Sequence, residues 1–373
     1  MDKKKILLVS NAFHPEVSPR SFRATELAKE LCRQGYEVTV ISKFRDFDYT
    51  DFLKMYPFSL KMWSKPYFSG GGTLKIKPLA YGLKIFLRVI AVLFEYPAII
   101  EMFKVKEMLR TEQGYDMMIS FAVPFPVHWG VAWARRKKHT IAHTWVADCG
   151  DAYMFARLDT FRKPFYFKYL EKGFCRRCDY ISIPFSQLGD QFYPEFKSKM
   201  RVIPQGFNFS DIHLSGQAVN NHRPSFIFAG SVIPGIRDLD KLLEFLVSSN
   251  LDFLFIVYTN QPDYYLKYKS KLGDKLLIKE YIDRISLIYE MSKVNFLVNI
   301  DTIHDSKNNV EAIPSKLIDY ALSGRPILNI NSAHLDTELV KEFFDHNYSK
   351  QRIIDKSKFD IKIVVSKFIS LIK

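Results

Sequence analysis

From Glu311 to Leu328 the sequence reads EAIPSKLIDYALSGRPIL, and its residue types and spacing suit the binding of a phosphorylated ligand. Pro314 fits the first position of a helix, where the amide hydrogen it lacks has no partner anyway, and Gly324 fits the residue just past the end. The spacing predicts a helix of about ten residues with Ser315 and Lys316 in its first turn. Free amide hydrogens and the positive end of the macrodipole would favour an acid there rather than this lysine. A local preference broken in this way points to a site, and amide hydrogens beside an ammonium group hold a phosphate well. Glu311 lies in the loop before the helix and Asp319 eight residues later, on its second turn, so carboxylates flank that position. The competing reading is a surface helix in which Lys316 and Asp319 form an ordinary ion pair.

Further candidates lie on either side of the middle of the chain. The run HTIAHTWVAD (139–148) reads as a strand, with Asp148 and Asp151 at its carboxyl end in WVADCGDAYMF. Open α/β sheets bind ligands at that end of their strands, which places both acids for the hydroxyl groups of a ligand. No metal is expected there, because the spacing is not that of a chelating pair and too few oxygen donors are in sight. His128 falls in the first turn of the helix after AVPFP and either faces the ligand or is structural. Arg20 and Arg23 open the helix after the first strand, either facing the strand end or lying solvated at the surface. In AGSVIPGIRD (229–238), Ile236-Arg237 stands where a P-loop after Gly230 and Gly235 needs Lys-Ser/Thr, so that motif is excluded. Cys175 and Cys178 form a C-x-x-C without the second pair that zinc requires, and the helical-looking stretch around them places both in the core.

The order of these stretches resembles the retaining glycosyltransferases of family 4, of GT-B fold and of the bacterial surface-polysaccharide type. In that family two acids eight apart bracket the loop and helix start that face a nucleotide-sugar. Glu311 matches the first, which contacts the donor sugar's hydroxyls; Asp319 takes the second place, at the ribose, one methylene shorter than the usual glutamate. The backbone of Ile313, Pro314 and Ser315 then approaches the sugar and phosphates. The family also places a basic pair in the loop after Gly230 and at the following helix start. Ser231 departs from the usual arginine, so the resemblance makes Arg237 the group that meets the diphosphate and Lys241 a second. W-x-x-D-x-x-D-P-aromatic is matched by Trp145, Asp148 and Asp151, with Ala152 in place of proline. FHPEVSPRSFR replaces the family's glycine-rich loop, with Arg20 and Arg23 standing in for its contacts. Taken together, the resemblance implies Glu311, Lys316, Arg237 and His128 as catalytic residues. Asp319, Ile313, Pro314, Ser315, Lys241 and Gly230 would bind the donor, and Asp148, Asp151, Arg20 and Arg23 the acceptor. It also implies retention of configuration by a front-face route, with neither metal nor cofactor.

The elements expected to position these residues alternate short β-branched runs with helices, the pattern of doubly wound parallel sheets. KILLVS (5–10), YEVTVIS (36–42), DMMISF (116–121), HTIAHTWVAD and YISIP (180–184) read as strands of the first domain. SFIFAG (225–230), LFIVYT, LLIKEYI, FLVNI and PILNI (326–330) read as those of the second, and residues 43–78 as a surface loop. A chain of 373 residues suggests two domains. The expected architecture is therefore α/β and GT-B, two Rossmann-like domains facing a central cleft. The first spans 1–205, the second 206–354, and a terminal helix at 355–373 crosses back onto the first.

Charge adds a partner. Residues 1–205 hold 33 Lys and Arg against 20 Asp and Glu, a net +13, whereas residues 206–373 hold 21 against 20, a net +1. Within 52–110 ten basic and three acidic side chains are interleaved with aromatics, which suits an anionic membrane surface. Lys84, Arg88, Glu95 and Glu101 interrupt that stretch too often for a membrane span. Nucleic acid is not expected, since no binding module accompanies the charge. With MDKKK running straight into ILLVS and only four cysteines, a reduced cytoplasmic location without a cleaved signal is expected, with peripheral attachment to the inner membrane face. A UDP- or GDP-sugar donor and a saccharide or lipid-linked acceptor are the expected ligands. A Rossmann-type oxidoreductase is excluded, because residues 10–23 contain no glycine. A non-catalytic sugar-nucleotide-binding or scaffolding relative of the same fold is the alternative.

Overall fold

The computed structural model describes residues 3–63, 87–135, 141–156, 162–210, 212, 214, 223–301 and 315–373. The chain divides into two compact units, one of Met1–Asn208 with Phe359–Lys373 and one of Phe209–Lys358. Strands β1 (Lys5–Ser10), β2 (Glu37–Lys43), β3 (Ser59–Trp63), β4 (Tyr115–Ala122), β5 (Ala142–Cys149), β6 (Tyr180–Ile183) and β7 (Met200–Val202) make the sheet of the first unit. Its order is β3-β2-β1-β4-β5-β6-β7, parallel throughout. In the second unit β8 (Ser225–Ala229), β9 (Leu254–Tyr258), β10 (Leu276–Lys279), β11 (Phe296–Asp301) and β12 (Ile327–Asn331) pair in the order β10-β9-β8-β11-β12, again all parallel. Strand order reverses between β1 and β4 in one sheet and between β8 and β11 in the other. Those switch points are where doubly wound sheets bind ligands.

Helices pack on these sheets. In the first unit they are α1 (Pro19–Arg33), α2 (Thr50–Met55), α3 (described over 87–94), α4 (Ile99–Met108), α5 (Pro126–Ala134) and α6 (Phe167–Arg177). The second unit contributes α7 (Asp240–Ser248), α8 (Asp263–Leu272), α9 (Arg284–Ser292), α10 (Ser315–Ser323) and α11 (Thr337–Phe344), after which α12 (Ile361–Ile369) belongs to the first unit again. The run ILLVS is apolar at every position but its last because both faces of β1 are covered. Ile6 and Leu8 join a core with Leu27 of α1 and Val364 and Phe368 of α12, whereas Leu7 and Val9 join one with Val105 of α4, Trp129 of α5 and Phe174 of α6. α1 starts as its sequence dictates, with Ser18 accepting from the Ser21 amide and Pro19 in the first turn. Gly35, at φ +83°, turns the chain from α1 into β2. The return to the first unit is made by backbone bonds from the Phe207 amide to the Phe359 carbonyl (2.8 Å) and from the Ile361 amide to the Phe207 carbonyl (3.0 Å).

One expectation is overturned. The stretch read as loop from residue 43 holds α2 and the edge strand β3, paired in parallel with β2 from Thr39↔Ser59 to Lys43↔Trp63. An edge strand covered on few sides carries no continuous apolar run, and Lys61 sits in its middle, bonded to Glu112 (2.6 Å). Residues 64–86, with Gly70 to Gly72 and Lys75, Lys77 and Lys84, lie outside the described residues.

Two glycines test the packing. A Cβ on Gly130 of α5 would sit 2.5 Å from the Met102 carbonyl oxygen and 2.9 Å from the Val105 Cβ of α4, whereas one on Gly173 of α6 would meet nothing nearer than 3.9 Å. Gly130→Ala is expected to lower stability by about 1–3 kcal/mol through overpacking. Gly173→Ala is expected to be neutral or to raise stability by up to about 1 kcal/mol through helix propensity. Urea unfolding of the two variants checks both signs.

Candidate functional site

At the switch point of the second unit, β8 runs into Gly230, whose φ of +143° is open to glycine and whose amide bonds to the Tyr258 carbonyl at 3.0 Å. The following residues fold back tightly. The Ile233 amide donates to the Arg237 carbonyl and the Arg237 amide to the Ile233 carbonyl, both at 2.8 Å, with Gly235 at φ +75° in the bend. Asp238 holds the bend by accepting from the Gly235 amide (2.7 Å). Arg237 is thereby presented at the end of β8 with one long bond, Nη2 to the Ser231 carbonyl at 3.4 Å. Its Nε is buried without a hydrogen-bond partner among the described residues.

Lys316 joins this arginine from the first turn of α10. Its ammonium lies 5.1 Å from the centre of the Phe228 ring of β8. Burial, together with the neighbouring guanidiniums of Arg237 and Arg352 and against the pull of Asp301, lowers its pKa to about 7. Asp301 ends β11 and is already engaged, accepting from Arg352 Nη1 (2.7 Å) and from Asn329 Nδ2 (2.6 Å). Among the described residues, two guanidiniums and an ammonium therefore face one committed carboxylate, an arrangement that an anion would relieve. Sequence reasoning missed Arg352 and Asp301. The position of Asp301 at a switch-point strand end was a usable signal; nothing local marks Arg352.

Asp319 lies one turn along α10 and is paired with Arg284 of α9, whose Nε and Nη2 both donate to Oδ1 at 2.8 and 2.6 Å. The ion pair seen at Asp319 is thus not the local one with Lys316. Burial, only partly offset by Arg284, raises the Asp319 pKa. Lys241 lies in the first turn of α7, exposed and 4.0 Å from Glu244 of its own helix. Glu311, Ile313 and Pro314 lie outside the described residues, as does the side chain of Ser315, which opens α10.

In the first unit the candidates separate. Asp148, near the end of β5, is buried and doubly bonded by Arg23, from Nε to Oδ2 and from Nη2 to Oδ1, each at 2.6 Å. Ser182 of β6 donates to the same Oδ1 at 2.5 Å, and Arg23 also donates to the carbonyls of Ile203 (2.9 Å) and Pro204 (2.7 Å). This pair clamps α1, β5, β6 and the segment after β7 together, so neither residue has a free group for an acceptor, and both expectations are corrected. His128 is corrected too. It is 0% exposed, with Nδ1 at 2.8 Å from the Ser120 hydroxyl and Nε2 at 3.5 Å from the Cys149 thiol. Burial pushes its pKa down to about 4, and a sealed neutral imidazole cannot meet a sugar. Cys175 and Cys178 are buried free thiols in the same core.

Asp151 is different. It is exposed, paired with Arg20, and lines a pocket of about 350 Å³. The Arg20 guanidinium packs over Gly150, where a Cβ would fall 1.7 Å from Nη1 and displace the arginine's end. Phe125, Phe185 and Leu188 give the pocket apolar walls, and Asp151, Gln191, Glu95 and Lys163 give it polar ones. Glu95 is fixed by Lys163 (3.0 Å) and by the Tyr153 hydroxyl (2.9 Å). Apolar rings with a few oriented acids and an amide form the kind of wall that holds a sugar ring. Of these residues only Asp151 was singled out in the sequence; Glu95 and Lys163 lie 68 positions apart and share no pattern.

The lysine gives a pH dependence. Below about pH 7 Lys316 carries its charge and above it loses it, so binding of a diphosphate diester, which has no titrating group of its own in this range, weakens as pH rises. Between pH 7 and 8.5 the affinity for a sugar nucleotide should fall by up to about tenfold per pH unit, and Lys316→Met should flatten the profile. Calorimetric titration at several pH values measures both.

No protein-family model and no curated protein matches the sequence. Among solved structures the chain is similar to the lipopolysaccharide outer core galactosyltransferase WaaB in its apo form, with a TM-score of 0.59, 10% identity and 98% of each chain covered. It is similar to a glycosyltransferase from Rickettsia africae, with a TM-score of 0.59, 14% identity and coverage of 100% of this chain and 98% of that one. It is also similar to HepE of Anabaena in complex with UDP-glucose, with a TM-score of 0.58, 11% identity and coverage of 98% and 99%. At such identities the fold is what is shared, and it spans the whole chain: an α/β protein of two doubly wound units with the GT-B architecture of these glycosyltransferases.

Proposed function

We propose that this chain is a retaining, metal-independent glycosyltransferase resembling family 4, moving a sugar from a UDP- or GDP-sugar to a saccharide or lipid-linked acceptor in bacterial surface-polysaccharide assembly. The observation that carries the reading is the gathering, among the described residues, of Arg237, Lys316 and Arg352 around the committed carboxylate of Asp301 at the β8/β11 switch point. The UDP-glucose bound to HepE and the polysaccharide substrate named for WaaB support it. Arg237, Lys316 and the start of α10 meet the charge that develops on the departing diphosphate, a fixed arrangement of the kind that lowers barriers most. Glu311 contacts the donor sugar. Asp319 takes the ribose through Oδ2, since Arg284 holds Oδ1. The acceptor sugar occupies the pocket of Asp151, and the leaving phosphate accepts its proton as the new bond forms. The net +13 of residues 1–205 favours work at an anionic membrane face, where a lipid-linked acceptor would be presented.

Glu311→Gln and Lys316→Ala are each expected to reduce sugar transfer at least about tenfold, roughly 1.4 kcal/mol of transition-state stabilisation, with folding intact. Wild-type rates in both folded variants would remove the site assignment, and donor binding without any turnover in the wild type would favour a non-catalytic sugar-nucleotide-binding relative. Arg237→Ala should weaken binding of a nucleoside diphosphate more than that of the nucleoside, whereas Asp319→Asn should weaken both by a similar factor. Calorimetry with the paired ligands distinguishes a phosphate contact from a ribose contact.

A further inference from the structure

Helix α6 exposes large apolar side chains among the lysines and arginines of its outer side. Its inner side sends Phe167 and Phe174 into the core, with Phe167 stacked on Trp129 at 5.6 Å. Its outer side, where a surface helix ordinarily carries polar residues, shows Tyr169 at 62% exposure and Leu170 beside it, and Phe165 just before the helix is 71% exposed. The described part of α3 also exposes apolar side chains, Leu87, Val89, Leu93 and Phe94, with Phe94 at 61%. The two stretches adjoin. The Tyr166 hydroxyl donates to the Leu93 carbonyl, and Lys163 bonds Glu95 at 3.0 Å. Every charged residue of 87–94 and 162–170 is basic: Arg88, Arg162, Lys163 and Lys168.

Exposed large apolar side chains gathered in this way mark an interaction surface rather than ordinary solvent exposure. A cluster of rings and aliphatic side chains interspersed with arginine and lysine, whose bordering acid Glu95 is already paired with Lys163, is complementary to the interface of an anionic bilayer. There the rings sit at headgroup depth while the cations reach phosphates. No helix among the described residues is long and apolar enough to cross a membrane.

We propose that the face formed by α3 and the start of α6 docks on an anionic lipid bilayer, with Phe94, Phe165, Tyr169 and Leu170 entering the headgroup region and Arg88, Arg162 and Lys168 binding lipid phosphates. This rests on the membrane reading given above and names the surface that carries it. Glu95 and Lys163, which wall the pocket of Asp151, lie within two residues of Phe94 and Phe165 in the chain. Docking would thus bring that wall to the lipid surface.

Co-sedimentation of the full chain with phosphatidylcholine vesicles, with and without phosphatidylglycerol, across a salt series tests the proposal without requiring turnover. Wild type should bind the phosphatidylglycerol vesicles and release them as salt rises. Phe94→Ser, Phe165→Ser and Tyr169→Ser combined should lower partitioning at least about tenfold, roughly 1.4 kcal/mol. Arg88→Gln, Arg162→Gln and Lys168→Gln combined should remove most of the preference for phosphatidylglycerol. Lys267→Gln, Lys271→Gln and Lys358→Gln, an equal charge change in the second unit, should leave binding unchanged. Thermal melts confirm that each variant folds. If wild type binds and the serine variant binds equally well, this face is wrong while the membrane reading stands. If wild type ignores phosphatidylglycerol at low salt, both fail. Concentration-dependent self-association that the serine variant abolishes, without vesicle binding, would make the face a contact between copies and overturn the proposal.

Discussion

Repulsion among cations at one strand end is the constraint on which the second unit depends. Arg237, Lys316 and Arg352 reach the end of β8 and β11 from three distant parts of the chain, and the carboxylate that faces them, Asp301, is held by Arg352 and Asn329. Burying an ammonium beside two guanidiniums disfavours its charged form, which is what the lowered pKa of Lys316 expresses. The packing of α10 enforces the arrangement: Leu317, Ile318 and Tyr320 are buried, and Tyr320 accepts the Ala229 amide at 3.0 Å, so the helix is locked to β8 just before Gly230. A ligand bearing two negative charges turns that repulsion into binding energy.

The first unit solves a different problem with similar groups. Arg23 and Asp148 form a buried pair whose remaining hydrogen-bonding capacity is taken up by Ser182 and two backbone carbonyls. A pair of this kind contributes little net stability against an apolar alternative, but removing one partner costs about 3–5 kcal/mol because the other charge is left buried alone. The short string Asp148-Cys149-Gly150-Asp151 therefore changes role within three residues. Asp148 points into the clamp, Cys149 packs against His128, Gly150 makes room for Arg20, and Asp151 faces the pocket.

Much of the fold is legible in the sequence because strands covered on both faces are continuous apolar runs: ILLVS, SFIFA and FLVNI stand out with no other information. Caps are legible as well, since Ser18-Pro19 and Gly324 act within one turn of chain. β3 was not, because SLKMW carries neither a continuous apolar run nor a clear alternation. At the site, the strand-end rule brought out Asp148 and Asp151 together but could not say which would be buried, because that depends on where Arg23 lands across 125 residues. Arg284, Arg352, Glu95 and Lys163 escaped for the same reason. Their roles exist only through partners far away in the chain.

The proposed activity requires the second unit to bind the diphosphate of a nucleotide-sugar. The most direct measurement is thermal unfolding of the chain across a panel of nucleosides, nucleoside diphosphates and their sugars. A ligand present at about 100 times its dissociation constant adds roughly 2.7 kcal/mol to the stability of the state that binds it. Stabilisation by UDP- or GDP-linked compounds, strongest with the diphosphate present and weak for the bare nucleoside, is the predicted result. A panel in which no diphosphate compound raises the unfolding temperature, or in which nucleosides do so equally, would contradict it.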